Sequence, residues 1–492
     1  MPRPILQREE LIRDGAYING QWIREASEYF EVIDPASNEV IAKLPDQNVS
    51  AVNDAIDAAY DSFQSYKNTT PRQRATWLRK LHSLMIENAQ DLGQILTWEN
   101  GKALSDAVGE IRYGASYFEW YAEEAPRAYG AVIQPGNSSN RAFTLKQPVG
   151  VCGLICPWNF PSAMITRKAA AALAAGCTVV VRPDAQTPLS ALALALLVEE
   201  AGFPKGAFNL VLADKHTPEV GLALCESPKV RKISFTGSTN IGKLLMRQSS
   251  STMKKLSFEL GGNAPFIVFE DADLEHAVDQ AIASKFRGLG QTCVYANRVY
   301  VQDSIVEKFA NLMADKVRKF VIGHGLNEDT THGCMINSKA ILKVEEHKRD
   351  AIEKGAKVVL EGGPLKELGP HFYSPVILTD VPQSAKVSKE ETFGPLCPIF
   401  SFKTAEEVVS YANDTNVGLG SYVFSRDINT IYTVSEALET GMVSCNTGLF
   451  TDSAIPFGGV KESGFGREGS LYGIDDYMVI KVITIGGLPK KI

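Results

Sequence analysis

The stretch Val151-Cys152-Gly153-Leu154-Ile155-Cys156 begins the alternation that decides the fold of this chain. Between residues 150 and 262, five short apolar runs alternate with four segments of helical periodicity. In order, the predicted elements are strand 151–156, helix 162–175, strand 178–181, helix 189–201, strand 208–212, helix 218–226, strand 232–235, helix 240–249 and strand 255–259. Strands and helices that alternate through short connections build an open parallel sheet. We therefore predict an α/β protein in which this segment binds a dinucleotide.

A second alternation follows on the carboxyl side of the first. An apolar run at 265–269 precedes a helix predicted over 273–286, and a strand at 298–301 and a helix at 305–320 come next. Further α/β units continue to about residue 460. This pattern predicts a separate catalytic domain over 263–460.

The amino-terminal part is expected to pack around the first sheet. Helical periodicity spans 50–66 and 71–88, and we assign 1–128 together with 149–262 to the dinucleotide-binding domain. Polar and apolar side chains alternate around 129–148 and again over 477–485, which predicts further strands.

Length and composition bound the class of protein. The chain has 492 residues, of which 45% are hydrophobic, so it is long enough for two or more globular domains. No run of about 18 apolar residues occurs, so no membrane span is predicted. The net charge is −7 and no basic run stands out, which disfavours nucleic-acid binding.

The cysteines and the amino terminus bear on the compartment. Eight cysteines are scattered along the chain without the pattern of a disulfide framework. Cys152 and Cys156 make one close pair, but a zinc site needs a second pair, so no metal site is predicted. Residues 1–10 lack the apolar core of a secretory signal and contain early acids. Reduced thiols in the cytoplasm are the predicted state.

Three segments carry residue types that suit the formation and hydrolysis of a thioester. Cys293 ends FRGLGQTC at 286–293, Glu259 begins ELGG at 259–262, and Asn159 is the centre of PWNFP at 157–161. A thiolate attacks carbonyl carbon, a carboxylate deprotonates water, and an amide N–H holds an oxyanion. Taken singly, Cys293 is expected to be a buried structural thiol and Glu259 a salt-bridge or capping residue. Their occurrence together favours a reactive site.

In this order the three segments resemble the aldehyde dehydrogenase superfamily, and the resemblance runs along nearly the whole chain. It implies an aldehyde dehydrogenase-like α/β fold with a Rossmann-type cofactor domain, an α/β catalytic domain, and a β oligomerisation arm and tail over 129–148 and 461–492. Because the arm adds a strand to a partner subunit's sheet, a homodimer or homotetramer is expected. The implied catalytic residues are Cys293 as the nucleophile, Glu259 as the base for hydrolysis and Asn159 as the oxyanion donor.

The turn FTGSTNIG at 235–242 joins a predicted strand to a predicted helix. Gly237 permits a tight turn, and Ser238 can cap the helix or bond a pyrophosphate oxygen at its positive end. Taken alone, a strand followed by Gly-Ser and a helix is a common turn that need not bind any ligand. The resemblance implies that it lines a dinucleotide site. The residues implied to bind the cofactor are Trp158, Asn159, Arg182, Pro183, Asp184, Ala185, Gly237, Ser238, Gly242, Leu260, Glu391 and Phe393.

The segment RPDA at 182–185 matches the part of the family that holds the adenosine ribose, whereas Glu391 and Phe393 are implied at the nicotinamide ribose. Members restricted to NAD often carry a glutamate where Ala185 stands, and a carboxylate there repels a 2′-phosphate. Ala185 removes that repulsion and Arg182 offers a charged donor. We therefore predict that NADP is accepted alongside NAD. Asp184 would restore the advantage of NAD if it faced the ribose.

Residues 164–168 and 286–287 resemble the succinate-semialdehyde dehydrogenase branch. There, arginines at the positions of Arg167 and Arg287, with a hydroxyl near Thr451 or Ser453, grip the far carboxylate of the substrate, which suits a guanidinium. The expected reaction is oxidation of succinate semialdehyde to succinate, as in 4-aminobutyrate degradation. The alternatives are another ω-carboxylated or small aliphatic aldehyde and, from a different class, a non-catalytic cofactor-binding or structural protein on the same fold.

Two positions raise further expectations. Many members of this branch have a cysteine two residues after the nucleophile, where this chain has Tyr295. A redox disulfide with Cys293 is therefore not expected, and the tyrosine ring is expected to reshape the aldehyde pocket. Glu468 is either a proton relay or a structural acid.

Overall fold

Strands and helices alternate along the computed structural model, which describes residues 3–449 and 451–489. The strands are β1 Ala16–Ile18, β2 Gln21–Ile23, β3 Glu28–Ile33, β4 Val40–Asp46, β5 Val132–Ile133, β6 Arg141–Pro148, β7 Val151–Ile155, β8 Thr178–Arg182, β9 Phe208–Leu210, β10 Val230–Thr236, β11 Lys255–Glu259, β12 Pro265–Val268, β13 Arg298–Gln302, β14 Lys357–Leu360, β15 Val376–Thr379, β16 Leu396–Phe402, β17 Val417–Gly418, β18 Gly420–Phe424, β19 Met442–Cys445, β20 Val460–Lys461, β21 Gly464–Phe465 and β22 Met478–Ile485. The helices are α1 Val49–Tyr66, α2 Pro71–Glu87, α3 Ala89–Asn100, α4 Leu104–Glu124, α5 Ala163–Ala175, α6 Leu189–Ala201, α7 Thr217–Glu226, α8 Thr239–Ser249, α9 Leu274–Phe286, α10 Val306–Val317, α11 Ser338–Glu353, α12 Ala405–Asn413, α13 Ile428–Ala437 and α14 Ser470–Asp475. The predicted alternation from β7 to β11 is confirmed.

The first sheet has the strand order β2-β1-β9-β8-β7-β10-β11-β21. Its centre, from β9 to β11, is parallel, and β1 and β21 pair antiparallel to it. The chain order reverses between β7 and β10, so the loops after these two strands diverge. Ligands of open α/β sheets bind in the crevice that such a reversal leaves at the carboxyl ends of the strands.

Helix α5 is buried along its whole length, which matters for the site it carries. Seven of its residues are alanines, which favour the helix and allow α4 to approach closely. The helix ends at Gly176, whose φ of 96° lies in the left-handed region that glycine adopts without strain. Because every face is covered, Arg167 and Lys168 are carried into the protein interior.

The second sheet has the strand order β14-β15-β16-β13-β12-β18-β19, parallel except for the β14–β15 pair. Apolar clusters cover both of its faces. Phe266 and Ile267, neighbours on β12, belong to clusters on opposite faces, as the alternation of a strand buried on both sides requires. This sheet is the α/β unit expected on the carboxyl side.

Strands β5, β6 and β22 form a separate antiparallel sheet, in which Met478 pairs with Pro148 and Ile485 with Arg141. The two predicted strand regions therefore pair with each other. Ile480 is 70% exposed on β22. The role of this sheet in oligomerisation stays a prediction, as does the division into domains; β21, which lies within 461–492, joins the first sheet.

The sequence patterns did not predict strands β1–β4 or helices α3 and α4. β1 and β2 have three residues each, too few for an alternating pattern to be distinguished. The eight cysteines are free. Within residues 3–449 and 451–489, no helix combines the length and the apolar character needed to cross a bilayer.

Candidate active site

A cavity lies between helices α4 and α5 and the loop that carries Cys293. Cys293, Arg167, Arg287 and Thr451 all line it. Ser453, two residues beyond Thr451, is not among the described lining residues, and its carbonyl oxygen accepts a hydrogen bond from the backbone of Ser470. The structure thus brings the predicted nucleophile together with both predicted arginines and one of the two predicted hydroxyls.

The loop before Cys293 turns sharply. Gly288, Leu289 and Gly290 have φ values of 54°, 53° and 74°. A Cβ added to Gly290 would lie 2.5 Å from the carbonyl oxygen of Gly394, so only glycine fits there. Leu289 holds the same left-handed conformation against its preference, which is strain of the kind found at functional sites.

Asn159, the predicted oxyanion donor, contacts the loop that precedes the thiol of Cys293. The Asn159 amide donates a hydrogen bond to the carbonyl oxygen of Gln291 at 3.1 Å, which ties it to the cysteine loop. The backbone oxygen of Asn159 accepts from the Lys102 ammonium at 2.7 Å. Burial, followed by the negative charge of Glu259, raises the pKa of the Cys293 thiol to about 12. The thiol is therefore protonated at neutral pH, and a proton must leave it before or during attack.

Four charged side chains form a buried cluster next to Cys293, which we call the Arg167 cluster: Arg167, Lys168, Glu259 and Glu468. Nη2 of Arg167 lies 2.6 Å from Oε1 of Glu259, and Nε is paired with Glu468. Lys168 is paired with Glu468 and donates to the hydroxyl of Thr236 at 2.6 Å. All four are at most 6% exposed. Mutual neutralisation makes their burial tolerable.

The two carboxylates of the Arg167 cluster differ in their pKa. Burial raises the pKa of Glu259 to about 7, with Arg167 opposing the rise and Glu468 adding to it. Burial also acts to raise the pKa of Glu468, but Lys168 and Arg167 outweigh it and the pKa falls below its usual value. Glu259 is thus poised as a base near neutral pH, whereas Glu468 stays ionised.

Arg287 occupies a different part of the same cavity. It is partly exposed, and its guanidinium carbon lies 5.4 Å from the centre of the Phe160 ring. Among the described residues, no carboxylate is ion-paired with Arg287. Its positive charge therefore faces the cavity, where Thr451 also lies.

A second cavity lies at the carboxyl ends of β7 and β10 beside the first turn of α8. Trp158, Arg182, Asp184, Gly237 and Ser238 line it. The Ser238 hydroxyl accepts from the backbone of Ile241 at 3.4 Å and so caps α8. The cleft has the helix amino terminus that the pyrophosphate of a dinucleotide needs.

Some of the predicted cofactor residues lie behind this cleft. Gly242 packs against Leu260: a Cβ on Gly242 would lie 2.5 Å from Cδ2 of Leu260. Pro183 is buried next to Arg182 and is not among the described lining residues. Ala185 lines the neighbouring cavity, with Asn337, instead of the cleft. These residues shape the cleft or its surroundings instead of facing it.

At the predicted adenosine end of the cleft, the Arg182 guanidinium is not free to bind a phosphate with both of its sides, because part of it is already hydrogen-bonded to the protein. Nη2 of Arg182 donates to the carbonyl oxygen of Ala213 at 3.0 Å and to the hydroxyl of Thr217. Its Nε is buried without a partner among the described residues, a donor that a bound polar group can satisfy. The carboxylate of Asp184 accepts from the backbone of Gln186 at 3.0 Å.

Glu391 and Phe393 lie where the cofactor cleft approaches the cysteine loop. Oε1 of Glu391 accepts from the backbone of Gly262 at 3.3 Å, and burial raises its pKa to about 7. The Phe393 ring packs edge-on against Trp158, with centroids 5.7 Å apart. The site fits a nicotinamide dinucleotide for three reasons. The buried Nε of Arg182 has no partner among the described residues, the amino terminus of α8 lines the cleft, and the loop of Glu391 and Phe393 packs against Trp158 at its edge.

Comparison with known proteins decides the family. Residues 22–483 match the aldehyde dehydrogenase family. The chain belongs to this family. A succinate-semialdehyde dehydrogenase of Saccharomyces cerevisiae, named with NADP(+), is 71% identical to it over 490 residues, covering 100% of this chain and 99% of that one. A glutarate-semialdehyde dehydrogenase of Pseudomonas aeruginosa is 50% identical, covering 98% of this chain and 100% of that one. The crystal structure of succinate-semialdehyde dehydrogenase from Burkholderia pseudomallei is 48% identical with a TM-score of 0.96, covering 98% of this chain and 100% of that one.

Several side chains of this aldehyde dehydrogenase site were not assigned a role from the sequence. Lys168, on helix α5, is the second cation on Glu468. Lys102 holds the backbone of Asn159 and is paired with buried Glu110 at 2.6 Å. Tyr113 lines the thiol cavity. Lys102 and Tyr113 gave a weak signal because helices α3 and α4, which flank Lys102 and carry Tyr113, were not predicted, whereas Lys168 lies on the predicted helix α5.

Proposed function

We propose that this aldehyde dehydrogenase oxidises succinate semialdehyde to succinate with NADP or NAD. The observation that carries the proposal is the presence in one cavity of the Cys293 thiol and the Arg287 cation, with which no acid of the described residues is ion-paired. An aldehyde with a carboxylate at its other end can meet both groups at once. The 71% identical yeast relative is named for this substrate and for NADP(+).

The first half of the reaction forms a bond between sulfur and the aldehyde carbon. Cys293 passes its proton to solvent and its sulfur attacks the carbonyl carbon, so the carbonyl oxygen becomes an oxyanion. The Asn159 amide, turning from Gln291, and the backbone N–H of Cys293 hold that oxygen; removing one such donor typically costs about 10²–10³ in rate. A bound nicotinamide dinucleotide supplies the hydride acceptor.

The second half hydrolyses the thioester that hydride loss leaves on Cys293. Glu259 takes a proton from water, and the oxygen attacks the thioester carbon while the carbon–sulfur bond breaks. The acid is released and the thiolate is restored. A pKa of about 7 for Glu259 leaves much of it in the basic form at neutral pH. Glu468 stays ionised between Lys168 and Arg167, so it stabilises the charge of the cluster and does not take the proton from Glu259.

Cofactor choice depends on the adenosine end of the cleft. Ala185 brings no carboxylate to this region, and Arg182 brings positive charge, which supports acceptance of a 2′-phosphate. Asp184 lines the cleft and opposes it. We propose that both NADP and NAD are used, with Trp158, Gly237, Ser238, Glu391 and Phe393 lining the dinucleotide and Pro183, Gly242 and Leu260 supporting them.

Glutarate semialdehyde, one carbon longer, is the second candidate substrate. The Pseudomonas aeruginosa relative, at 50% identity, is named for it. The same carboxylate grip serves both aldehydes, so the distance from Cys293 to Arg287 decides between them. The non-catalytic alternative has no support in a site where thiol, base and amide adjoin.

A substrate panel tests the proposal. Absorbance of reduced nicotinamide is followed with succinate semialdehyde, glutarate semialdehyde and propanal, each with NADP and with NAD. We expect kcat/KM to be highest for succinate semialdehyde and lowest for propanal, by a factor of about 10² or more because a charged hydrogen bond is lost. Equal kcat/KM for the three aldehydes would contradict the carboxylate grip.

Assembly and compartment are part of the same proposal. We propose a homodimer or homotetramer in which β22, with exposed Ile480 and Val482, extends the sheet of a partner subunit. We also propose that the enzyme works in the cytoplasm, which suits its eight free cysteines. Light scattering on a size-exclusion column gives the mass, and a monomer would contradict the first of these.

A further inference from the structure

Tyr295 connects the loop of the reactive thiol to the loop that carries Glu391. It lies two residues after Cys293 and is 1% exposed. Its hydroxyl oxygen accepts a hydrogen bond from the backbone N–H of Phe393 at 2.6 Å and donates to Oδ1 of Asn297. Asn297 in turn donates to the carbonyl oxygen of Glu390 at 3.2 Å. The Tyr295 hydroxyl thus holds the loop of Glu391 at two points, at Phe393 directly and at Glu390 through Asn297.

The loop needs this support because its backbone is strained. Phe393 has a φ of 59°, which a bulky side chain adopts at a cost of roughly 1–3 kcal/mol. Such a conformation persists only where surrounding contacts hold it. The Tyr295 hydroxyl binds the N–H of that same residue.

The ring of Tyr295 is held separately from its hydroxyl. The Lys285 amine lies 3.9 Å from the ring centre, and the Phe393 ring packs edge-on with centroids 6.3 Å apart. Burial lowers the pKa of Lys285 to about 7. Removing only the hydroxyl should therefore leave the ring in place and the pocket shape unchanged.

We infer that Tyr295 is a positioning residue whose hydroxyl holds Glu391 and Phe393 in the conformation that receives the nicotinamide ribose. The inference rests on the proposed function, since it takes these two residues to face the cofactor. Phe393 also contacts Trp158, so loss of the hydroxyl loosens the wall on which the nicotinamide end lies. The ring of Tyr295 also lines the cavity of Cys293, so the test must separate an action through that loop from an action on the thiol side.

The test removes the hydroxyl and measures the cofactor and the thiol separately. Tyr295→Phe is compared with the native chain for the Kd of NADP by isothermal titration calorimetry. The second readout is hydrolysis of 4-nitrophenyl acetate without dinucleotide, which uses Cys293 and Glu259 alone. We expect the Kd to rise about five- to twentyfold, since a buried N–H loses its acceptor, and ester hydrolysis to stay within about twofold.

Tyr373→Phe is the matched control, because Tyr373 is a buried tyrosine whose hydroxyl donates to Glu345 at 2.5 Å outside the site. It should leave the Kd at its native value. A fully folded Tyr295→Phe protein with native Kd would overturn the inference. So would an equal loss of affinity and of ester hydrolysis, which would mean that the hydroxyl acts on the thiol loop.

A double-mutant cycle guards against a general packing effect. In a Phe393→Gly background, glycine adopts a φ of 59° without strain, so the same hydroxyl deletion should raise the Kd by a smaller factor. Equal factors in both backgrounds would overturn the inference. None of these measurements needs an aldehyde, so they stay informative even where succinate semialdehyde proves not to be the substrate.

Discussion

Arg167 and Arg287 line the same cavity but lie in opposite electrostatic surroundings. Arg167 is 1% exposed, and two carboxylates, Glu259 and Glu468, are paired with it. Arg287 is partly exposed and rests over Phe160, and within the described part of the chain no acid is ion-paired with it. From the sequence both were expected to grip the carboxylate of a substrate.

The difference shows that an arginine in a pocket wall can serve either the protein or the ligand. A buried guanidinium that neutralises two buried carboxylates cannot leave them without a large desolvation cost. A cation with no protein partner gains a new ion pair when an anionic ligand arrives. We therefore assign recognition chiefly to Arg287. The role of Arg167 in substrate binding stays a prediction, alongside its evident role in setting the charge of Glu259.

Arg167→Met is the strongest test of the different roles of Arg167 and Arg287. It leaves the carboxylates of Glu259 and Glu468 buried near each other, so we expect the free energy of unfolding to fall by about 3–5 kcal/mol. The pKa of Glu259 rises when the cation goes, because Arg167 lowers it. We expect kcat at pH 7 to fall about 10–100-fold, since general base catalysis is lost. Urea unfolding and steady-state kinetics measure the two effects.

Arg287→Met is the matched control for stability. Removal of a partly exposed cation without an ion-pair partner should change the free energy of unfolding by less than about 0.5 kcal/mol. Similar losses of stability in the two variants would show that the arginines are not electrostatically distinct.

Arg287→Ala should separate aldehydes by their charge. Loss of a charged hydrogen bond costs about 1.5–3 kcal/mol, so KM for succinate semialdehyde should rise about 10–100-fold. KM for propanal, which carries no carboxylate, should change less than about threefold. Initial rates with both aldehydes give the two KM values. An equal rise in KM for both would show that Arg287 does not recognise the carboxylate.

The comparison also marks what sequence patterns can and cannot predict. The alternation from β7 to β11 was predicted almost residue by residue, because buried parallel strands and their helices have strong apolar periods. Cys293, Glu259 and Asn159 were expected near one another: Cys293 and the Arg167 that pairs with Glu259 line one cavity, and Asn159 is hydrogen-bonded to the loop of Cys293. The pairing of Arg167 with Glu259 and Glu468 was not predicted, because the three residues come from α5, β11 and the segment before α14. Only the folded chain shows which cation meets which acid.

Glu468→Gln tests whether Glu468 raises the pKa of Glu259, through the pH dependence of kcat. Glu259 acts as a base only when ionised, so the rate of thioester hydrolysis should rise with pH through about 7. Glu468 raises the pKa of Glu259. Its neutralisation should therefore move this limb to lower pH. A pH profile of kcat, with hydrolysis made rate-limiting, measures the shift.

A limb that moved to higher pH would contradict this assignment of charges. The Thr451→Val variant is a suitable comparison, because Thr451 lines the cavity outside the Arg167 cluster. Its pH profile should keep the native midpoint even where its KM changes.

Arg287→Lys is the smallest and most specific change, because it keeps the positive charge and removes the planar fork. A lysine ammonium is a point charge with no bidentate geometry, so we expect KM for succinate semialdehyde to rise only about three- to tenfold. If the whole effect of Arg287 came from long-range attraction, the lysine variant would match the native KM and would lose affinity steeply with added salt. If the fork itself binds both carboxylate oxygens, KM rises at every ionic strength. Measuring KM for the native and Arg287→Lys enzymes at low and high salt distinguishes these outcomes. The same measurements with glutarate semialdehyde show whether the planar guanidinium or its charge sets the preferred chain length of the substrate.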